Sequence, residues 1–306
     1  LQRDQGKYDE AAETYARAVD VTRSVYGEDH PRLASVLNNL ARLRHRQGRW
    51  AEAEAGYREA LRIRRIVYGD DNPRLVPSLG SLASLLTELA RFGEADSLNR
   101  VALEIARATW DGSNEQLGVA LRSLGALEVE RGRLAEADSL LTEALQVMDS
   151  SVGRDHVEWA QTALALSTLR LRQGRFEEAR ILADGGLDTY RDCLPEGHPW
   201  IALAHVDRAA ALRGSGRLDD AARDLDEAVR ILDAWQGDGP DDGVVELRLQ
   251  HHAFLRVEQA RLARDQGNLD EARRHYAAAL ELQAKLLPAE HPRRAELRRE
   301  LDELGP

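Results

Sequence analysis

Between residues 30 and 71 the apolar positions fall into two stripes separated by a short polar break. Leu33, Val36, Leu37, Leu40 and Leu43 recur at three- and four-residue steps. Beyond the break, Trp50, Ala53, Tyr57, Ala60, Leu61 and Ile63 do the same. A single apolar stripe on a 3.6-residue period marks an amphipathic helix. The spacing predicts helices over about 31–47 and 50–67, with Gly48 at the turn between them.

This pattern returns down the whole chain. The turn position falls at Gly6, Gly48, Ala90, Gly132, Gly174, Gly216 and Gly267, five steps of 42 residues and then one of 51. Five residues after each stands an alanine: Ala11, Ala53, Ala95, Ala137, Ala179, Ala221 and Ala272. A fixed period in the range of about 20–50 residues means a solenoid or array. The constant alanine has a packing reason. Two antiparallel helices approach to about 8–10 Å only where the side chains at the crossing are small. The facing positions, Ala41, Ala83, Gly125, Ser167, Ala209 and Ala260, are small as well. The pattern therefore predicts an all-α chain of tight helical hairpins.

Units follow from the period: a partial first repeat at 1–29, repeats at 30–71, 72–113, 114–155, 156–197, 198–239 and 240–290, and a charged capping helix at 291–306. The whole of 1–306 is read as a single array, since a repeat array is one quasi-linear object of any length. The first unit is read as the end of one helix, a turn at Gly6 and a second helix from about Tyr8 to Val25; a chain opening mid-helix predicts a piece of a longer protein. His30-Pro31, Asn72-Pro73, His198-Pro199 and His291-Pro292 read as N-caps followed by a first-turn proline. Ser113 or Asn114 takes that place in one unit and His156 in another. The seventh unit carries nine additional residues between Trp235 and its first helix: Gln236–Gly243 reads as a polar loop, and the helix over Val244–Gln266 is about two turns longer than the other first helices.

Composition narrows the function without changing this picture. With 43% hydrophobic and 31% charged residues, the chain resembles an ordinary water-soluble helical protein, and a cytoplasmic location is expected. No apolar run reaches the roughly 18–20 residues needed to cross a bilayer. A net charge of −11 argues against nucleic acid or an anionic membrane as partner. Cys193 is the single cysteine, which leaves no intramolecular disulfide and no cysteine zinc site, and it has no basic neighbour to activate it. The four capping histidines lie a repeat or more apart, while His251 and His252 point away from each other on one helix, so no metal site is expected. Gly237-Asp238-Gly239 lacks the strand and lysine of a phosphate loop. Trp50, Phe92 and Phe176 share one register and read as packing. No cofactor and no catalytic set are expected.

Small-faced hairpins carrying Gly-x-apolar-x-x-Ala at each turn resemble tetratricopeptide repeats. Asp29-His30-Pro31, Leu37-Asn38-Asn39-Leu40-Ala41 and Gln47-Gly48-Arg49 are similar to the 42-residue repeats of kinesin light chains and their bacterial relatives. Lysine at only two positions, Lys7 and Lys285, fits a bacterial source. The resemblance implies a right-handed superhelix with first helices lining a concave groove, and a non-catalytic scaffold for a protein or peptide. The alternative it implies is a sensor or regulatory array of a larger bacterial kinase, ATPase or protease. The paired asparagines occur once; later equivalents are Gly80-Ser81, Arg122-Ser123, Leu164-Ala165 and Val206-Asp207.

Projecting the groove face from the second repeat selects Ser35, Asn38, Arg42, His45 and Arg46. The same face carries Arg122, Arg172, Arg213, Arg261 and Arg264, with Val129, Leu164 and Val206 among its apolar members. Arginine there outnumbers acid, against the sign of the whole chain. The expected ligand is a peptide with acidic ends, held by forked hydrogen bonds, and an apolar centre. On the competing reading the apolar stripe is buried against the next repeat and the arginines are solvated.

Overall fold

The computed structural model describes residues 2–47, 49–110, 112, 114–235 and 244–305, with side chains from Ala11 onward except Arg46 and 244–248. Gly48, Ser113 and the loop 236–243 lie outside the described residues, as does the side chain of Arg46. Contacts divide the chain into two compact units, one of residues 1–112 with 239–247 and one of 113–238 with 248–306.

The first unit holds α1 (Gln2–Tyr26), α2 (Pro31–Arg46), α3 (Trp50–Tyr68), a 3-10 turn at Pro73–Leu75, α4 (Val76–Glu88) and α5 (Phe92–Thr109). The second holds α6 (Glu115–Glu130), α7 (Leu134–Ser151), α8 (Val157–Arg172), α9 (Phe176–Cys193), α10 (Pro199–Gly214), α11 (Leu218–Ala234), most of α12 (Val244–Asp265), α13 (Leu269–Leu286) and α14 (Pro292–Asp302). No strand occurs among the described residues. The helix pairs fall on the expected hairpins. One expectation fails: α1 runs unbroken through Gly6, where the sequence predicted a turn between two helices.

Each hairpin is closed by the same backbone device. The amide of the third residue past the first helix donates back to a carbonyl five residues earlier: Arg91 N to Leu86 O at 2.8 Å, Arg133 to Glu128, Arg175 to Arg170, Arg217 to Leu212 and Asn268 to Ala263. This six-to-one bond needs a left-handed residue just before the donor. Gly132, Gly174, Gly216 and Gly267 supply it at φ 71–82°, and Ala90 does so at φ 58°. At the other end, His30, His156, His198 and His291 each accept from the amide two residues on through Nδ1, at 3.2–3.3 Å. Asn72 and Asn114 do the same through Oδ1, at 3.0 and 2.8 Å. These acceptors satisfy orphan first-turn amides.

The crossings are as tight as the small residues require. Ala53, Ala95, Ala137, Ala179, Ala221 and Ala272 are fully buried. Ser167 Oγ donates to Ala179 O at 2.8 Å, directly across one crossing. A Cβ on Gly125 would lie 2.7 Å from Leu141 Cγ. Ala11 is only half-buried, and Ala12 beside it takes the core position. Cys193 is the exposed last residue of α9.

Candidate functional site

In the first unit, Ser35 and Arg42 are exposed on α2, and Arg42 has no hydrogen bond or ion pair among the described residues. Asn38, one turn before Arg42, has its Oδ1 buried without a hydrogen-bond partner. His45 Nε2 lies 2.7 Å from Glu88 Oε2 on α4, so it joins neighbouring hairpins.

The second unit encloses a cavity of about 460 Å³, within the usual range for ligand pockets. Four of the arginine and apolar positions selected from the sequence meet there: Arg172 of α8, Val206 and Arg213 of α10, and Arg261 of α12. Leu171 and Leu203 add apolar surface, and Phe176 packs into the space left by the missing side chain of Gly214. The C-terminal helix forms another wall through Arg293, Leu297 and Glu300. Arg293 reaches across to α6, giving Glu130 two hydrogen bonds at 3.0 and 2.7 Å. Burial pushes the Glu130 carboxyl up, but the charges of Arg293, Arg172 and His291 outweigh it and hold it below the usual range.

Arg122, Val129, Leu164 and Arg264 do not line this cavity. Val129 and Leu164 are buried in the hydrophobic core. Most of the selected arginines have carboxylate partners one repeat away. Arg122 pairs with Glu158 at 2.7 Å. Arg213 pairs with Glu258 at 3.2 Å and Asp265 at 2.8 Å. Arg261 binds Glu300 at 2.5 Å and Glu258 at 2.8 Å. Arg264 lies 3.0 Å from Asp265. The pairs from Arg122 to Glu158, Arg213 to Glu258 and Asp265, and Arg261 to Glu300 act as staples between successive first helices, so the excess of positive charge read from the sequence is largely matched. Arg172 alone among the selected cavity arginines is exposed and makes no hydrogen bond or ion pair among the described residues.

The residue that projection from the sequence missed is Asp207. It lines the cavity beside Val206, yet it makes no hydrogen bond and no ion pair among the described residues. Burial, with repulsion from Glu258, pushes its carboxyl up to about 7. Gln283 of α13 also lines the cavity, with its Oε1 buried and without a hydrogen-bond partner. The register of Asn39 carried to Asp207 was a signal for the first of these; nothing in the repeat pattern marks the second.

No group of three or more His, Cys, Asp or Glu side chains among the described residues is arranged to hold a metal ion. No helix among them is long and apolar enough to cross a membrane.

Comparison with known proteins places these features in context. Family models described as tetratricopeptide repeat match residues 1–65, 33–108, 116–192 and 260–293. No curated protein matches the chain. Among solved structures, BtubC (BKLC) from P. vanneervenii is 21% identical, with a TM-score of 0.63 over 76% of this chain and 94% of that one. A putative kinesin light chain from Podospora anserina with nearly identical TPR-like repeats is 19% identical, at 0.55 over 69% and 100%. A Rap protein complexed with competence and sporulation factor is 18% identical, at 0.64 over 98% and 72%. At these identities the likeness is one of fold.

Proposed function

Because the chain belongs to the tetratricopeptide repeat family, we propose that it is a non-catalytic module that binds a peptide or protein segment in the cavity of its second unit. The observation that carries this reading is the cavity itself, lined by apolar Leu171, Leu203 and Val206 together with charged groups from several helices. Apolar surface supplies affinity by excluding water, and the polar ring fixes orientation. The complex of a Rap protein with competence and sporulation factor supports the same use of a similar fold. Ligand carboxylates are expected at Arg172, and at Arg42 of the first unit, since both are exposed and make no hydrogen bond or ion pair among the described residues. Arg213 and Arg261 are already engaged and would contribute shape more than charge.

The test is binding of the full chain to an arrayed library of synthetic hexapeptides, repeated with Leu203→Arg. Leu203 is only partly buried, so the fold should survive the change. The variant is expected to bind about tenfold more weakly or worse, with its circular dichroism unchanged. Charge reversal at Arg172 should weaken the acidic members selectively. A library that yields no ligand, or ligands indifferent to Leu203→Arg, would overturn the reading.

A further inference from the structure

We infer that the cavity of the second unit recognises an arginine side chain of its peptide, with Asp207 as the anchor for the guanidinium group. The inference rests on the peptide-binding reading above and goes beyond it in naming a basic residue. Its ground is a count of partners around the cavity. Glu130 receives Arg293, Glu258 receives Arg213 and Arg261, and Glu300 receives Arg261. Among the described residues Asp207 and Glu296 receive no donor, and Glu258 repels Asp207.

Gln283 adds a further, independent acceptor. Its Oε1 is buried at the edge of the same cavity without a hydrogen bond. A buried acceptor left unpaired is costly, so a ligand that supplies donors gains more here than one that supplies acceptors. Two carboxylates and an amide oxygen without donors call for a cation with several N–H groups. A guanidinium carries five in a plane and gives up water more readily than an ammonium does. The wall suits the rest of the side chain, because Leu171, Leu203, Val206 and Phe176 offer apolar surface to a three-carbon stem. Burial disfavours the Asp207 carboxylate; a bound guanidinium reverses that preference, so binding at pH 7 releases protons.

The experiment uses the full chain and a positional-scanning library of N-acetylated, C-amidated hexapeptides. Arginine is expected to be selected at one position. The best sequence is then remade with citrulline, which keeps the shape and removes the charge, and both peptides are titrated by calorimetry against the wild type and Asp207→Asn. The wild type should prefer arginine about tenfold or more, and Asp207→Asn should lose that preference. The variant should melt no lower than the wild type at pH 8, since it removes a buried charge, so lost binding would not be lost folding. Equal affinity for arginine and citrulline, or an unchanged preference in Asp207→Asn, overturns the inference while leaving the peptide groove intact. Absence of any hexapeptide ligand overturns both.

Discussion

Ala90 occupies a left-handed position, at φ 58°, where the equivalent turns have glycine. A Cβ in that conformation crowds the following carbonyl, at a cost of about 1–2 kcal/mol. Ala90→Gly should therefore raise stability by about 1 kcal/mol after the greater entropy of an unfolded glycine is counted. Gly174→Ala, at φ 71°, should lower it by a similar amount. Thermal melts of the two variants check the pair. Single residues also mark how far the sequence could be read. The histidine caps were legible because one acceptor two residues before an orphan amide is local chemistry. Asp207 was less so: its position on the repeat can be projected, but its lack of a partner depends on which side chains α12 and α13 bring near it.

At the scale of the helix, the constant alanine is a contact rather than a recognition feature. Ala137 is fully buried where α7 meets α6. Ala137→Arg should force the two helices apart and cost at least about 1–3 kcal/mol. An unchanged chemical-denaturation midpoint would mean the crossing had been misplaced. The apolar stripe shows where helix-level projection runs out. Successive residues on a helix point about 100° apart, so a small error in choosing a face moves a side chain from groove to core. Val129, Leu164 and Val206 all lie in the core, and of the three Val206 alone also lines the cavity. The insertion before α12 compounds the error, because steps of 42 residues no longer reach its equivalents. Phe254 and Glu258, both on the cavity wall, lie past that break.

At the scale of the molecule, the 42-residue period made the helical array readable from end to end, as repetition multiplies every weak local signal. The cavity was not readable in the same way, because it draws side chains from six elements beyond α10. The bond between Arg293 and Glu130 is the plainest case, with partners 163 residues apart. A stack of repeats ordinarily folds as a one-dimensional chain of neighbours, in which any part can fray alone. This contact closes part of the chain into a loop. Its formation requires α6 and α14 to be in place together, so the protection of one end becomes conditional on the other. Arg293→Ala should accelerate amide hydrogen exchange in α14 and also at the C-terminal turn of α6, by about tenfold or more. Faster exchange confined to α14 would instead make the repeats of this unit independent links. On the first outcome, hydrogen exchange in the last helix would report on structure laid down well over a hundred residues earlier, and the unit would unfold as a closed loop that must first be opened.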